Sequence, residues 1–128
     1  SAGPGTAQHL MIELLNEQAG LSLTHVPYRG GTPAMNDVLA GQVHGMFQDT
    51  GSSLPHVKAG SVKALALAMP KRLPAFPDIP TLVESGYDVQ VPVWIALGTV
   101  AGTPPAIVAR LNEALLEAIR SPEFSSKM

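Results

Sequence analysis

Apolar positions in this chain fall first at helical spacing and then at strand spacing, and the switch recurs along its length. Leu10, Met11, Leu14 and Leu15 repeat at intervals of three and four, which puts them on one face of a helix, and Gly20 is suited to end it. Residues 21–26 read as a short strand, residues 33–39 as a second helix closed by Gly41, and residues 43–47 as a second strand. Asp49, Thr50, Gly51 and Ser52 form a turn into a third helix around residues 54–58, which Gly60 closes. Residues 62–69 are apolar throughout except at Lys63, the pattern of a strand buried on both faces of its sheet. Pro70, Pro74, Pro77 and Pro80 exclude a regular element in the next stretch, and Thr81 then opens a brief helix, TLVES, stopped by Gly86. Strands alternating with helices predict an α/β fold with a largely parallel sheet.

The last third is different in kind. Residues 89–100 are apolar and β-branched around Trp94, and Pro92 sets the start of that run at a sheet edge or bend. Thr103 is placed to cap Pro104 and Pro105, and the longest helix follows, with Ile107, Leu111, Ala114, Leu115 and Ala118 on one stripe and Arg110, Glu113 and Glu117 facing away. A strand and helix this apolar are expected to dock on sheet contributed by other sequence. The chain is therefore expected to be part of a longer protein.

Composition narrows the class. The chain has 128 residues, 45% of them hydrophobic and 14% charged, which suits one modest globular unit. A formal net charge of -2 with only eight scattered Lys and Arg argues against a nucleic-acid surface, which needs a clustered basic face. No run reaches the ~18–20 apolar residues of a membrane span. No charged-then-apolar leader opens the chain, so any export signal is expected outside it. There is no cysteine, so disulfides and thiolate metal sites are excluded.

Chemistry concentrates in two glycine-rich helix starts. In VPYRGGTPAMND, Tyr28 and Arg29 lead into Gly30 and Gly31, which can bend tightly, while Thr32 is placed to cap and Pro33 suits the first helical position. In SAGPGTAQH, Gly3, Pro4 and Gly5 lead to Thr6 as a cap ahead of Ala7 and His9. Orphan amides at such starts face outward at the positive end of the helix dipole, where they can hold an anion. Either loop alone is equally a plain strand-to-helix connection; the pair points to one shared anion site. His9 projects from the first helical turn, to brace the loop or to touch a ligand. Asp49 follows a strand, either as a helix cap or as an acceptor for a ligand hydroxyl or ammonium. His25, His44 and His56 lie on separate elements with no i, i+4 pair, which gives no metal pattern and no cofactor site. Ser52, His56 and Asp49 supply the residue types of a hydrolase triad. Ser52 and His56 sit on one short helix without a G-x-S-x-G elbow, so an enzyme is not expected.

The segments GPGTAQHL, VPYRGGTPAMNDVLAGQV, MFQDTGSSLPHVKAGSVKALAL, KRLPAFPDIPTLVESGY and VAGTPPAIVARLNEAL, in this order and spacing, resemble the Bug or TctC-like periplasmic receptors of tripartite tricarboxylate transporters over nearly the whole chain. The resemblance implies one lobe of a two-lobed, type II Venus-flytrap fold over residues 1–92. Residues 93–128 would be a crossover strand and helix returning to a first lobe whose beginning has no counterpart here. It implies a periplasmic binding protein, not an enzyme, that captures a small carboxylate for membrane permease subunits; the same architecture can instead report the ligand to a signalling partner. By the same resemblance Gly5, Thr6 and Ala7 match a loop that binds a carboxylate, with threonine in place of the commoner serine. Gly30, Gly31, Thr32 and Ala34 match a second loop, flanked by Tyr28 and Arg29. Arg29 either pairs with a carboxylate or stays solvated. Apolar surface without its own sheet predicts a homodimer, domain-swapped through residues 92–102.

Overall fold

The computed structural model describes residues 1–93 and 95–127, and the side chains of all of these except 125–127. Among the described residues the order is α1 (Ala7–Ala19), α2 (Gly31–Leu39), α3 (Thr50–Lys58), α4 (Pro105–Arg120) and α5 (Pro122–Lys127). The chain divides into two compact units, Ser1–Val93 and the residues that follow.

Local chemistry explains where the helices of the first unit begin and end. Thr6, in extended backbone, accepts the His9 N–H on its hydroxyl at the start of α1, and Gly20 in the left-handed conformation closes it. The α2 helix starts at Gly31, two residues ahead of the expected Pro33, with Gly30 as its cap and no side-chain cap bond, so Thr32 does not cap it. Likewise α3 starts at Thr50, because the Asp49 carboxylate accepts the Ser52 N–H and so nucleates the turn early. Pro55 is carried inside that helix. The TLVES segment makes turns instead of a helix. Thr81 and Glu84 nevertheless form a reciprocal capping box: Glu84 Oε2 accepts the Thr81 N–H at 2.7 Å and Thr81 Oγ1 accepts the Glu84 N–H at 3.0 Å.

The sheet expected from the sequence is represented sparsely among the described residues. Leu67 and Thr81 form an isolated parallel bridge. The Ser1 backbone nitrogen donates to the Val26 carbonyl at 2.9 Å and the Tyr28 N–H to the Ser1 carbonyl at 3.0 Å, which is the spacing of a parallel pairing. Residues 62–69 are not enclosed on both faces: Leu67 is 8% exposed, whereas Leu65 is 75% exposed. The apolar core is small and consists of Ala34 and Met35 from α2 with Leu67, Leu82 and Val89.

In the second unit, Pro104 flanks the start of α4, and Thr103 donates its hydroxyl to the Val100 carbonyl at 2.7 Å, so the expected Thr103 cap is replaced by a turn. The apolar stripe of α4 forms as a helical face but none of its residues is buried. Trp94, on which the expected crossover is centred, lies outside the described residues. No helix among the described residues is long and apolar enough to cross a membrane.

Candidate ligand-binding site

Backbone hydrogen bonds hold the two glycine loops side by side. Besides the pairing through Ser1, the Gly30 N–H donates to the Ala2 carbonyl at 3.1 Å. Gly3 has φ 140°, and a Cβ there would lie 3.4 Å from the Tyr28 carbonyl oxygen, so the approach of the loops depends on the missing side chain. The helix starts of α1 and α2 are thereby brought to one edge of the first unit. Their first-turn amides lack intrahelical acceptors by position.

A third loop joins them through Gln48. A Cβ on Gly31 would sit 2.8 Å from both the oxygen and the nitrogen of the Gln48 amide, so this side chain lies directly against the Gly31 Cα. Ser52 gives its single hydroxyl proton to Asp49 Oδ2 at 2.8 Å and therefore accepts from Gln48 Nε2 at 2.7 Å. That relay fixes the amide's orientation. It leaves Gln48 Oε1 enclosed without a hydrogen-bond donor among the described residues, at a cost of about 1–3 kcal/mol.

The predicted residues divide by what their atoms already do. Gly5 is exposed, with its N–H donating to His9 Nδ1 at 3.1 Å. Thr6 caps α1 and donates its hydroxyl to the Gly3 carbonyl at 2.7 Å; Ala7 is the first residue of the helix. His9 braces the loop, and its Nε2 lies 3.6 Å from Glu13. Tyr28 donates its hydroxyl to Asp37 Oδ2 at 2.7 Å, tying the second loop to α2, and this bond is the main reason the phenol's acidity is weakened. Arg29 is exposed and enters none of the ion pairs among the described residues. Gly30, Gly31 and Thr32 form the start of α2, with Thr32 exposed. Ala34, 1% exposed, packs in the core and does not reach the loop surface. Asp49 caps α3, and the Ser52 N–H, ahead of the Ser52 hydroxyl, holds its carboxyl below the ordinary range although partial burial works against this.

Sequence reasoning missed Gln48, Ser1, Gly3, His25 and Asp37 as parts of this assembly. Ser1 Oγ lies 2.5 Å from His25 Nε2 and also accepts the Gly3 N–H at 3.1 Å. Only Gly3 carried a signal, as one of two glycines flanking a proline. The others bond across 9 to 24 positions or pack between helix starts, which no local pattern encodes.

The model of the tripartite tricarboxylate transporter family receptor matches residues 1–128. A Pseudomonas knackmussii protein, described as the UPF0065 protein in the clcB-clcD intergenic region, is 39% identical over 99% of this chain and 76% of its own length. The periplasmic binding protein BugD is 39% identical and superposes with a TM-score of 0.94 over 100% of this chain and 43% of its own. The R. palustris protein Rpa4515, solved with adipate, is 31% identical with a TM-score of 0.93, over 99% of this chain and 43% of that one. This chain thus spans less than half the length of the solved structures it resembles. The family model's match over residues 1–128, together with the fold shared with BugD, places the chain in the tripartite tricarboxylate transporter receptor family.

Proposed function

We propose that this chain supplies one side of the ligand cleft of an extracytoplasmic solute receptor, which captures a small carboxylate in the periplasm and presents it to the permease subunits of a tripartite transporter. The observation that carries this reading is the stitching of the α1 and α2 starts, through Gly30 N–H to Ala2 and Tyr28 N–H to Ser1, which sets two helix N-termini side by side. The adipate bound to Rpa4515, a structure of the same family, supports a carboxylate as the anion. On this reading the first-turn amides at Ala7, Gly31 and Thr32, which no loop carbonyl among the described residues accepts, hold a carboxylate, exposed Arg29 adds a positive charge, and Tyr28 and Asp37 keep the second loop in place.

Magnitudes bear on affinity. A helix start contributes about 0.3–1 kcal/mol to an exposed anion, and a hydrogen bond to a charged group about 1.5–3 kcal/mol. A micromolar dissociation constant requires about 8 kcal/mol after the ligand's freedom is lost. One open side falls short of that. Closure of a second lobe over the ligand would exclude water and strengthen each polar contact.

The test is an amide-resolved NMR titration of this chain with adipate. Shifts confined to residues 5–7 and 30–34, with millimolar affinity, are expected. A folded spectrum in which those amides stay still would refute the site, and micromolar binding would refute its one-sidedness.

A further inference from the structure

Two imidazoles stack against the first glycine loop. His9 comes from the first turn of α1 and His25 from the extended segment before Tyr28; their ring centroids are 4.0 Å apart and their planes 17° from parallel. Each ring holds a different point of the loop. His9 Nδ1 accepts the Gly5 N–H at 3.1 Å, and His25 Nε2 meets Ser1 Oγ, which is bonded to both the N–H and the carbonyl of Gly3 at 3.1 Å.

The acceptor role of His9 Nδ1 fixes its tautomer. A neutral His9 carries its proton on Nε2, the atom that lies 3.6 Å from Glu13 Oε1. A second proton must go to Nδ1, where it would face the Gly5 N–H donor to donor. The bond then breaks, and Gly5, which is exposed, turns its N–H to whatever anion lies outside. Protonation also sets a cation at the same loop, 3.6 Å from Glu13 Oε1.

His25 is held below the usual histidine range, first by desolvation and then by the charge of His9, with Glu13 opposing them. Three groups, His9 and Glu13 on α1 and His25 on the extended segment, are the ionisable side chains acting on one another here. Two face-to-face imidazoles at 4.0 Å repel one another when both carry a proton, and the Glu13 carboxylate lies on the His9 side of the stack.

We propose that His9 sets the affinity of the first loop for a carboxylate: neutral, it occupies the Gly5 amide itself; protonated, it releases that amide and adds a positive charge beside it. This rests on the carboxylate reading above and makes the site proton-coupled, with binding strengthening toward mildly acidic pH. His25 acts through His9 and Ser1 as a positioning residue.

The experiment has two arms. In the first, without ligand, the His9 ring nitrogens and the Gly5 amide are followed by ¹⁵N NMR from about pH 8 to about pH 5.5. A common midpoint for His9 Nδ1 protonation and the Gly5 shift is expected; a Gly5 amide indifferent to His9 titration would overturn the proposal. In the second, adipate is titrated at about pH 8 and about pH 6, where it is mostly the dianion, and binding about three- to tenfold tighter at the lower pH is expected. His9→Gln, which keeps an acceptor but cannot titrate in this range, should abolish that pH dependence, and its persistence would overturn the proposal. If adipate moves no amide at either pH while Gly5 still titrates with His9, the carboxylate reading fails and the gating role with it, whereas the imidazole-to-amide link stands.

Discussion

Gly30 and Gly31 are neighbours with opposite demands. Gly30 has φ 124° and ψ 171°, a region essentially closed to residues with a Cβ, and its N–H ties the two loops together. Gly31 has no such backbone requirement, and what a Cβ would meet there is the mobile end of Gln48. Gly30→Ala is therefore expected to cost about 1–3 kcal/mol, read as a lowered urea midpoint. Gly31→Ala should cost much less, because alanine favours the helix and the Gln48 amide can swing aside. Its signature would instead be a shifted Gln48 side-chain NH₂ resonance, as the bond to Ser52 breaks. Equal destabilisation by both substitutions would contradict this account. The double glycine is evident in the sequence, but the different reasons for its two members are not, since one is a dihedral angle and the other a contact across 17 positions with Gln48.

Among the elements, the TLVES segment separates local from propagated structure. Its ends carry a correct capping signal, and Thr81 with Glu84 makes both bonds of the box. Gly86 then ends the segment after one turn, too short for the helical ladder to repay its nucleation. Arg72, from the proline-rich stretch, bonds both oxygens of Glu84, at 3.1 and 2.9 Å. The Thr81 N–H first, then Arg72, hold the Glu84 carboxyl below its ordinary 4.5. A carboxyl depressed in the folded state binds its proton more weakly there than in the unfolded chain. Its stabilisation is thus present above about pH 4.5 and fades as pH falls through the lower folded value. The urea midpoint of the wild-type chain should fall in that acidic window, and Glu84→Gln should flatten that part of the profile. An unchanged acid limb in Glu84→Gln would assign it to other carboxylates.

For the whole molecule, apolar surface dominates. Ile95 is 96% exposed and Val100 81%, and along α4 Ile107, Val108, Leu111, Leu116 and Ile119 are all at least 40% exposed. Patches of this extent promote association in water. The isolated chain is expected to be at least dimeric at micromolar concentration, with exchange through residues 92–102 the arrangement we favour; light scattering that gave a monomer throughout would exclude it. Adding α4-face charges, such as Leu111→Glu with Ile119→Glu, should lower the association state without altering the amide spectrum of residues 5–34.

The amino-acid sequence by itself determined α1 to α4, the cap at Thr6, the glycine loops and the family, because each is written in residues adjacent along the chain or repeated at a fixed period; it offered a TLVES helix that does not form, missed α5 and left Asp49 between cap and ligand acceptor. Only the tertiary structure decided what those parts do together. It set His9 against His25, laid Gln48 on Gly31, turned Tyr28 toward Asp37 and buried Ala34, and these are contacts between side chains whose geometry depends on how the backbone returns on itself. The continuous apolar run of residues 62–69 likewise predicted a strand enclosed on both faces, and within this chain Leu65 stays exposed, since burial is a property of what packs alongside and not of the run of apolar residues that invites it.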